Sequence, residues 1–229
     1  MAYFNGPKIE LSGLLVHYDP ANHKSYPGSG TTVTDLSKNG HSIELSSSPT
    51  FSGNNIGCFD HAAGTGANIR IASHSSFVTA QSWEVWFNPD TIPASNTSDS
   101  VWQMSNNWNQ NTGKGMHMIY GNFTFDYGTN WGGACQYALS NFTTGNWYHA
   151  VGTTDGTTNT NKVKLYINGS LVDSGTSTVI PSDNVNIKVG DGNGGNIDGK
   201  TGSFSVYSTE LTADQVKKNF EAKRGRYGI

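Results

Sequence analysis

From Val163 to Ile167, Val, Leu and Ile alternate with Lys164 and Tyr166, a period of two that predicts a strand with two unlike faces. Asn168-Gly169 follows, the pair best suited to a two-residue turn that needs positive φ at both positions. Such a turn sets a register in which Leu165 faces Val172, Tyr166 faces Leu171 and Lys164 faces Asp173. Ser82–Phe87 carries the same signature, with Trp83, Val85 and Phe87 on one face and Glu84 and Trp86 on the other. Trp147–Thr153 predicts the strand that enters the Asn168 hairpin, and Met116–Tyr120 with Phe123–Tyr127 predicts another hairpin about Gly121-Asn122.

Shorter strand signals lie at Leu14–Tyr18, Thr31–Leu36, His41–Leu45, Ile56–Phe59, Asn68–Ile71, Gln136–Leu139, Val185–Val189 and Ser203–Tyr207. Between Asp90 and Asn111 the pattern is irregular, polar runs being interrupted by Val101-Trp102 and Trp108. One helix is well signalled, over about residues 212–224. Thr212-Ala213-Asp214-Gln215 forms a capping box, Leu211 and Val216 have the spacing of a hydrophobic staple, and Gly225 is the expected terminator. Many short strands and one terminal helix predict an all-β sandwich of two antiparallel sheets, one domain over 13–229 preceded by an extended arm, 1–12.

Composition sharpens this picture. Only 14 % of the 229 residues are charged, so Asn, Ser, Thr and Gly must build much of the surface. A net charge of −3 gives no argument for a nucleic-acid partner, and no apolar run approaches the ~20 residues of a membrane span. The N-terminus lacks a basic segment followed by an apolar run, so no secretory signal peptide is expected. Cys58 and Cys135 read as buried free thiols, with a disulfide across a long loop as the alternative.

Four segments in order resemble the concanavalin A-like jelly rolls of laminin-G type: SWEVWFNP at Ser82–Pro89, WYHAVGTTDG at Trp147–Gly156, VKLYINGSLV at Val163–Val172, and VGDGNGGNIDGKTGSFSVYSTELTADQV at Val189–Val216. The resemblance implies the jelly-roll fold, which hosts lectins, glucanases and structural modules alike. A narrower resemblance, to virion proteins of tailed phages, lies in HYDPANHKSYPGSGTTVTDLSKNG at His17–Gly40 and KKNFEAKRGRYGI at Lys217–Ile229. It implies a capsid-decorating, fibre or baseplate protein at the virion surface, assembled in the host cytoplasm. Its partners would be viral capsid or tail proteins and host-surface glycans, with a homo-oligomer left open.

Against a glycosidase, the strand that carries paired carboxylates in β-glucanases of this fold has Glu84 alone here, with Trp86 at the next projecting position. A non-enzymatic role is therefore expected, with a stand-alone lectin as the alternative. Trp102, Trp108 and Trp131, with Asn109, Tyr127 and Asn130, supply the aromatic faces and amides that glycans or protein partners use, a core place for one or two of these tryptophans being the competing reading. Lys8, Lys217, Lys218, Lys223, Arg224 and Arg226 are the candidate particle-docking residues; five of the 14 basic residues fall in the last thirteen positions. Removing 1–12 and 217–229 is accordingly expected to abolish docking and leave the sandwich folded. Calcium is the cofactor the resemblance leaves open, with Asp60, Asp191, Asn193 and Asp198 as candidate oxygen ligands; the competing reading of those residues is Asx turns.

Overall fold

The computed structural model describes residues 8–53, 56–94, 97–105, 112–128, 133–156 and 161–229. Among the described residues, sixteen strands form two antiparallel sheets of eight. The first sheet runs in the order β14 (Ser170–Ser177), β13 (Asn161–Ile167), β12 (Tyr148–Thr154), β7 (Ser82–Pro89), β16 (Gly199–Tyr207), β5 (Cys58–His61) and β4 (Thr50–Ser52), with β1 (Leu14–Tyr18) also paired to β16. The second runs β11 (Cys135–Ala138), β10 (Asn122–Tyr127), β9 (Lys114–Ile119), β8 (Ser98–Met104), β15 (Ile187–Val189), β6 (Asn68–Ile71), β3 (Ser42–Ser46) and β2 (Thr32–Thr34). The described residues also form a one-turn helix α1 (Ser75–Val78), a short 3-10 turn at Leu139–Asn141 and the terminal helix α2 (Ala213–Tyr227).

Alternation builds the core. Trp83, Val85 and Phe87 of β7 meet Trp102, Met116, Met118, Phe123 and Phe125 of the second sheet in one buried cluster, with Trp83 stacked on Trp102 at 5.9 Å between centroids. Gly152 is where β12 lets this cluster close, because a Cβ there would lie 2.6 Å from Phe125 Cζ. Gly152→Ala should therefore cost about 1–3 kcal/mol by overpacking. A urea midpoint unchanged from the parent would refute that reading.

The Asn168 turn forms as expected, with φ of 49° at Asn168 and 77° at Gly169. Tyr166 does face Leu171, but a bulge leaves Val172 unpaired, so Leu165 faces Asp173 and Lys164 faces Ser174. An extra residue on one strand shifts every pair beyond it. The irregular stretch after Asp90 contains β8, a regular strand hidden by a second bulge between Ser100 and Trp102 and by the polar Ser98, Ser100 and Gln103 of its outer face.

Both halves of the capping box on α2 are made, Thr212 Oγ1 accepting from the Gln215 amide at 3.3 Å and Gln215 Oε1 from the Thr212 amide at 2.9 Å. Leu211 and Val216 are buried together, as a staple requires. The helix does not stop at Gly225. It continues to Tyr227 and closes at Gly228 in the left-handed region, φ 76°. Contacts made by Arg226 and Tyr227 with the sandwich hold the extra residues helical. Cys58 and Cys135 are buried free thiols.

Candidate functional site

Helix α2 covers the outer face of the first sheet. Trp86 lies parallel to Phe220 and Tyr227, with centroids at 5.9 and 4.1 Å. Beside it Glu84, 1 % exposed, lies 3.2 Å from His149 Nε2 and accepts from Asn219 Nδ2 at 2.6 Å and Tyr207 OH at 3.4 Å. Burial pushes the Glu84 carboxyl up, but His149, Lys223 and Asn219 outweigh it and hold it down at about 2. The one carboxylate on the glucanase-like strand is thus an ionised structural acceptor sealed beneath a helix.

Asn219 is the hub of this seal, because its Oδ1 also accepts the Glu10 amide at 2.6 Å and so ties in the chain before β1. Lys223 donates to Ser203 Oγ at 2.8 Å, and Arg226 donates to both Asp19 oxygens at 2.8 and 2.9 Å and to Tyr227 OH at 2.7 Å.

An open cavity of about 330 Å³ lies where the loop before β8 meets the loop between β15 and β16. Asp99, Asp198, Thr91, Thr97, Asn196 and Pro93 are among its lining residues. Its walls are braced. Asn196 Nδ2 donates to Ala62 O at 2.6 Å and Ile197 O at 3.1 Å, Ser98 Oγ donates to Gly194 O at 3.2 Å, and the Ser100 amide donates to Gly195 O at 3.0 Å. Burial, and then the neighbouring Asp198 carboxylate, raise Asp99 to about 6. A concave site with convergent polar groups and a perturbed carboxylate is the usual form of a binding site.

The sequence candidates divide. Trp102 is wholly buried and Tyr127 is 3 % exposed, so both belong to the core and neither is a surface contact. Tyr127 and Trp83 instead face the buried Lys114 ammonium, at 5.6 and 4.9 Å from their centroids, which donates to Phe77 O and Val78 O at the end of α1. Burial lowers Lys114 to about 7, with Asp183 opposing. Trp108, Asn109, Asn130 and Trp131 lie outside the described residues.

Among the docking candidates, Lys223 is 8 % exposed and Arg226 is engaged with Asp19, so both fasten α2 and are not available for docking. Lys8, Lys217, Lys218 and Arg224 are exposed, Lys218 pairing with Glu10 at 3.2 Å and Arg224 with Glu221 at 3.0 Å.

The calcium candidates do not converge. Asp60 lies 3.9 Å from Lys200 Nζ, Asp191 lies 3.6 Å from Lys188 Nζ, the Asn193 amide donates to Gln103 Oε1 at 2.6 Å, and only Asp198 lines the cavity. Among the described residues no group of three or more His, Cys, Asp or Glu side chains is placed to hold a metal ion.

Sequence reasoning missed Asp99, whose only early signal is its place in a polar run; between the outward Ser98 and Ser100 it faces the other way, opposite the core residue Met118 at the end of β8. It also missed a buried trio on β8, β9 and β10. His117 Nδ1 is 3.0 Å from Ser100 Oγ and His117 Nε2 is 3.7 Å from Asp126 Oδ2. Burial lowers His117 to about 3, so the ring is neutral, and Gly192 packs directly over Ser100. The loop after β15 is fastened to the sheet beside this trio by the Asn193 amide on Gln103 Oε1 and the Ser100 amide on Gly195 O. Among the described residues no helix is long and apolar enough to cross a membrane.

A family model described as the concanavalin A-like lectin/glucanases superfamily matches residues 63–217, more than half of the chain. No curated protein matches. Among solved structures, Trypanosoma rangeli sialidase in complex with the inhibitor DANA is similar at a TM-score of 0.66 and 12 % identity, covering 96 % of this chain and 34 % of that one. The botulinum neurotoxin serotype D binding domain is similar at a TM-score of 0.62 and 15 % identity, covering 92 % of this chain and 52 % of that one. The chain therefore spans between a third and about half the length of these structures, and at such identities the likeness is one of fold.

Proposed function

The chain belongs to the concanavalin A-like lectin/glucanase superfamily, and from that premise we propose that it is a non-enzymatic glycan-adhesion module carried on a virion surface. The observation that carries this reading is the contrast between its two candidate surfaces. The carboxylate at the glucanase-like position is sealed under α2, while the braced polar cavity at the end of the sandwich is open to solvent. A sealed, ionised Glu84 cannot protonate a glycosidic oxygen, whereas Asp99, Asp198, Thr91 and Thr97 offer acceptors and donors to sugar hydroxyls. The lectin-bearing family and the neurotoxin binding domain among the fold neighbours support a binding role.

The virion context rests on the resemblance of His17–Gly40 and Lys217–Ile229 to tailed-phage virion proteins. In support, these two stretches are joined in space by the Asp19–Arg226 pair at 2.8 Å, and the exposed surface of the helix so fastened carries Lys217 and Arg224. Docking on capsid or tail proteins through this surface leaves the end cavity for host glycans. Quantitative mass spectrometry of purified particles from the source tests the placement. Hundreds of copies per particle are expected for a capsid decoration and a few to a few tens for a fibre or baseplate part; none would overturn the virion reading and leave a stand-alone lectin.

A further inference from the structure

Resting on that adhesion reading, we infer that the end cavity selects neutral sugars and turns away anionic ones such as sialic acids and uronates. The specificity follows from what lines it. Asp99 and Asp198 present two carboxylates to one space, and among the described residues neither has a cation or a hydrogen-bond donor as partner. Ionised carboxylates accept charge-assisted hydrogen bonds, which the hydroxyls of a neutral pyranose supply in number. A sugar carboxylate brings no donor and a third negative charge, and like charges brought together across an interface are strongly unfavourable.

The crowding is already felt without a ligand, since Asp99 is raised to about 6 by burial and by Asp198. Neutral sugars relieve it by donating to both groups. Thr91 and Thr97 add hydroxyls, while Pro93 and Ala63 give the apolar wall that a sugar C–H face needs. Asn196 is committed to Ala62 O and Ile197 O, so it shapes the mouth and carries no charge to offset the pair.

Calorimetric titration of the full chain at neutral pH tests this, using maltohexaose, chitohexaose and galactose oligosaccharides as neutral probes and sialyllactose and galacturonate oligomers as anionic ones. We expect at least one neutral probe to bind, with the anionic probes at least about tenfold weaker. Asp99→Asn and Asp198→Asn, checked for an unchanged melting temperature, should narrow that gap at least threefold. Equal binding of neutral and anionic probes, or a gap that neither substitution narrows, overturns the inference while the adhesion reading stands. Binding abolished by a chelator also overturns it, because a cation and not the bare carboxylates would then meet the sugar. If no probe binds, the adhesion reading falls and this inference with it.

Discussion

A chain ending at Thr209 will not give a folded sandwich, although the basic terminus resembles an appendage. Helix α2 supplies Val216, Phe220 and Tyr227 to buried clusters that also contain Trp86, Trp147, Val151, Tyr166 and Tyr207 of the first sheet. Three such side chains contribute roughly 5–9 kcal/mol of burial at about 1.5–3 kcal/mol each. That is as large as the net stability of most domains, about 5–15 kcal/mol. The truncation would also bare a broad aromatic face and leave Ser82, Ser203 and Tyr207 without their partners Leu211, Lys223 and Asn219. The expected result is loss of the cooperative thermal transition, strong binding of a hydrophobic dye and recovery in the insoluble fraction. A soluble truncated chain melting cooperatively within about 5 °C of the full chain would show that α2 is an appendage after all. Asn219→Ala keeps the helix but removes the hub, and should cost about 1–3 kcal/mol by stranding buried acceptors.

How far the fold could be read beforehand depended on whether the signal was local. The Asn168-Gly169 turn and the Thr212 capping box are set by residues within four positions of each other, and both form as expected. The bulge at Val172 and the end of α2 are decided by distant partners. Gln136 reaches Asp173 beside the first, and Asp19 and Ser203 hold the second. Strand β8 was hidden because its outward side is polar and its bulge breaks the period of two. Asp99 lies in the same polar run but on the inward side, opposite Met118, so the cavity had no aromatic or motif-like signature, and Asp198 alone among its carboxylates stood out in the glycine-rich loop. Aromatic content misled in the opposite direction. Trp102 and Tyr127 sit on strands whose other positions are polar, and it is their side of the strand that faces the core.

The Glu84 network gives the second large effect, as a dependence of stability on pH. Glu84 is held down at about 2 in the folded protein, against an ordinary value of 4.5. A carboxylate whose folded value is depressed stabilises the fold above its unfolded value and loses that contribution as pH falls through the folded one. The window is therefore pH 4.5 to 2, and the contribution is about 3 kcal/mol for a shift of this size. Glu10 is depressed in the same way to about 2, first by the Ser12 amide and then by Lys218, but its pairing is with an exposed lysine and its share is smaller. Glu84→Gln keeps the shape and removes the charge, leaving Lys223 and His149 without their buried anion. At neutral pH it should cost about 3–5 kcal/mol, the usual result of breaking a buried charged network from one side. Melting temperatures from pH 2.5 to 7 should fall steeply below pH 4.5 in the parent and much less in the variant, so the two curves converge in acid. Curves that stay parallel would mean that Glu84 is not the acid-sensitive group, and that the seal beneath α2 is held by its aromatic packing alone.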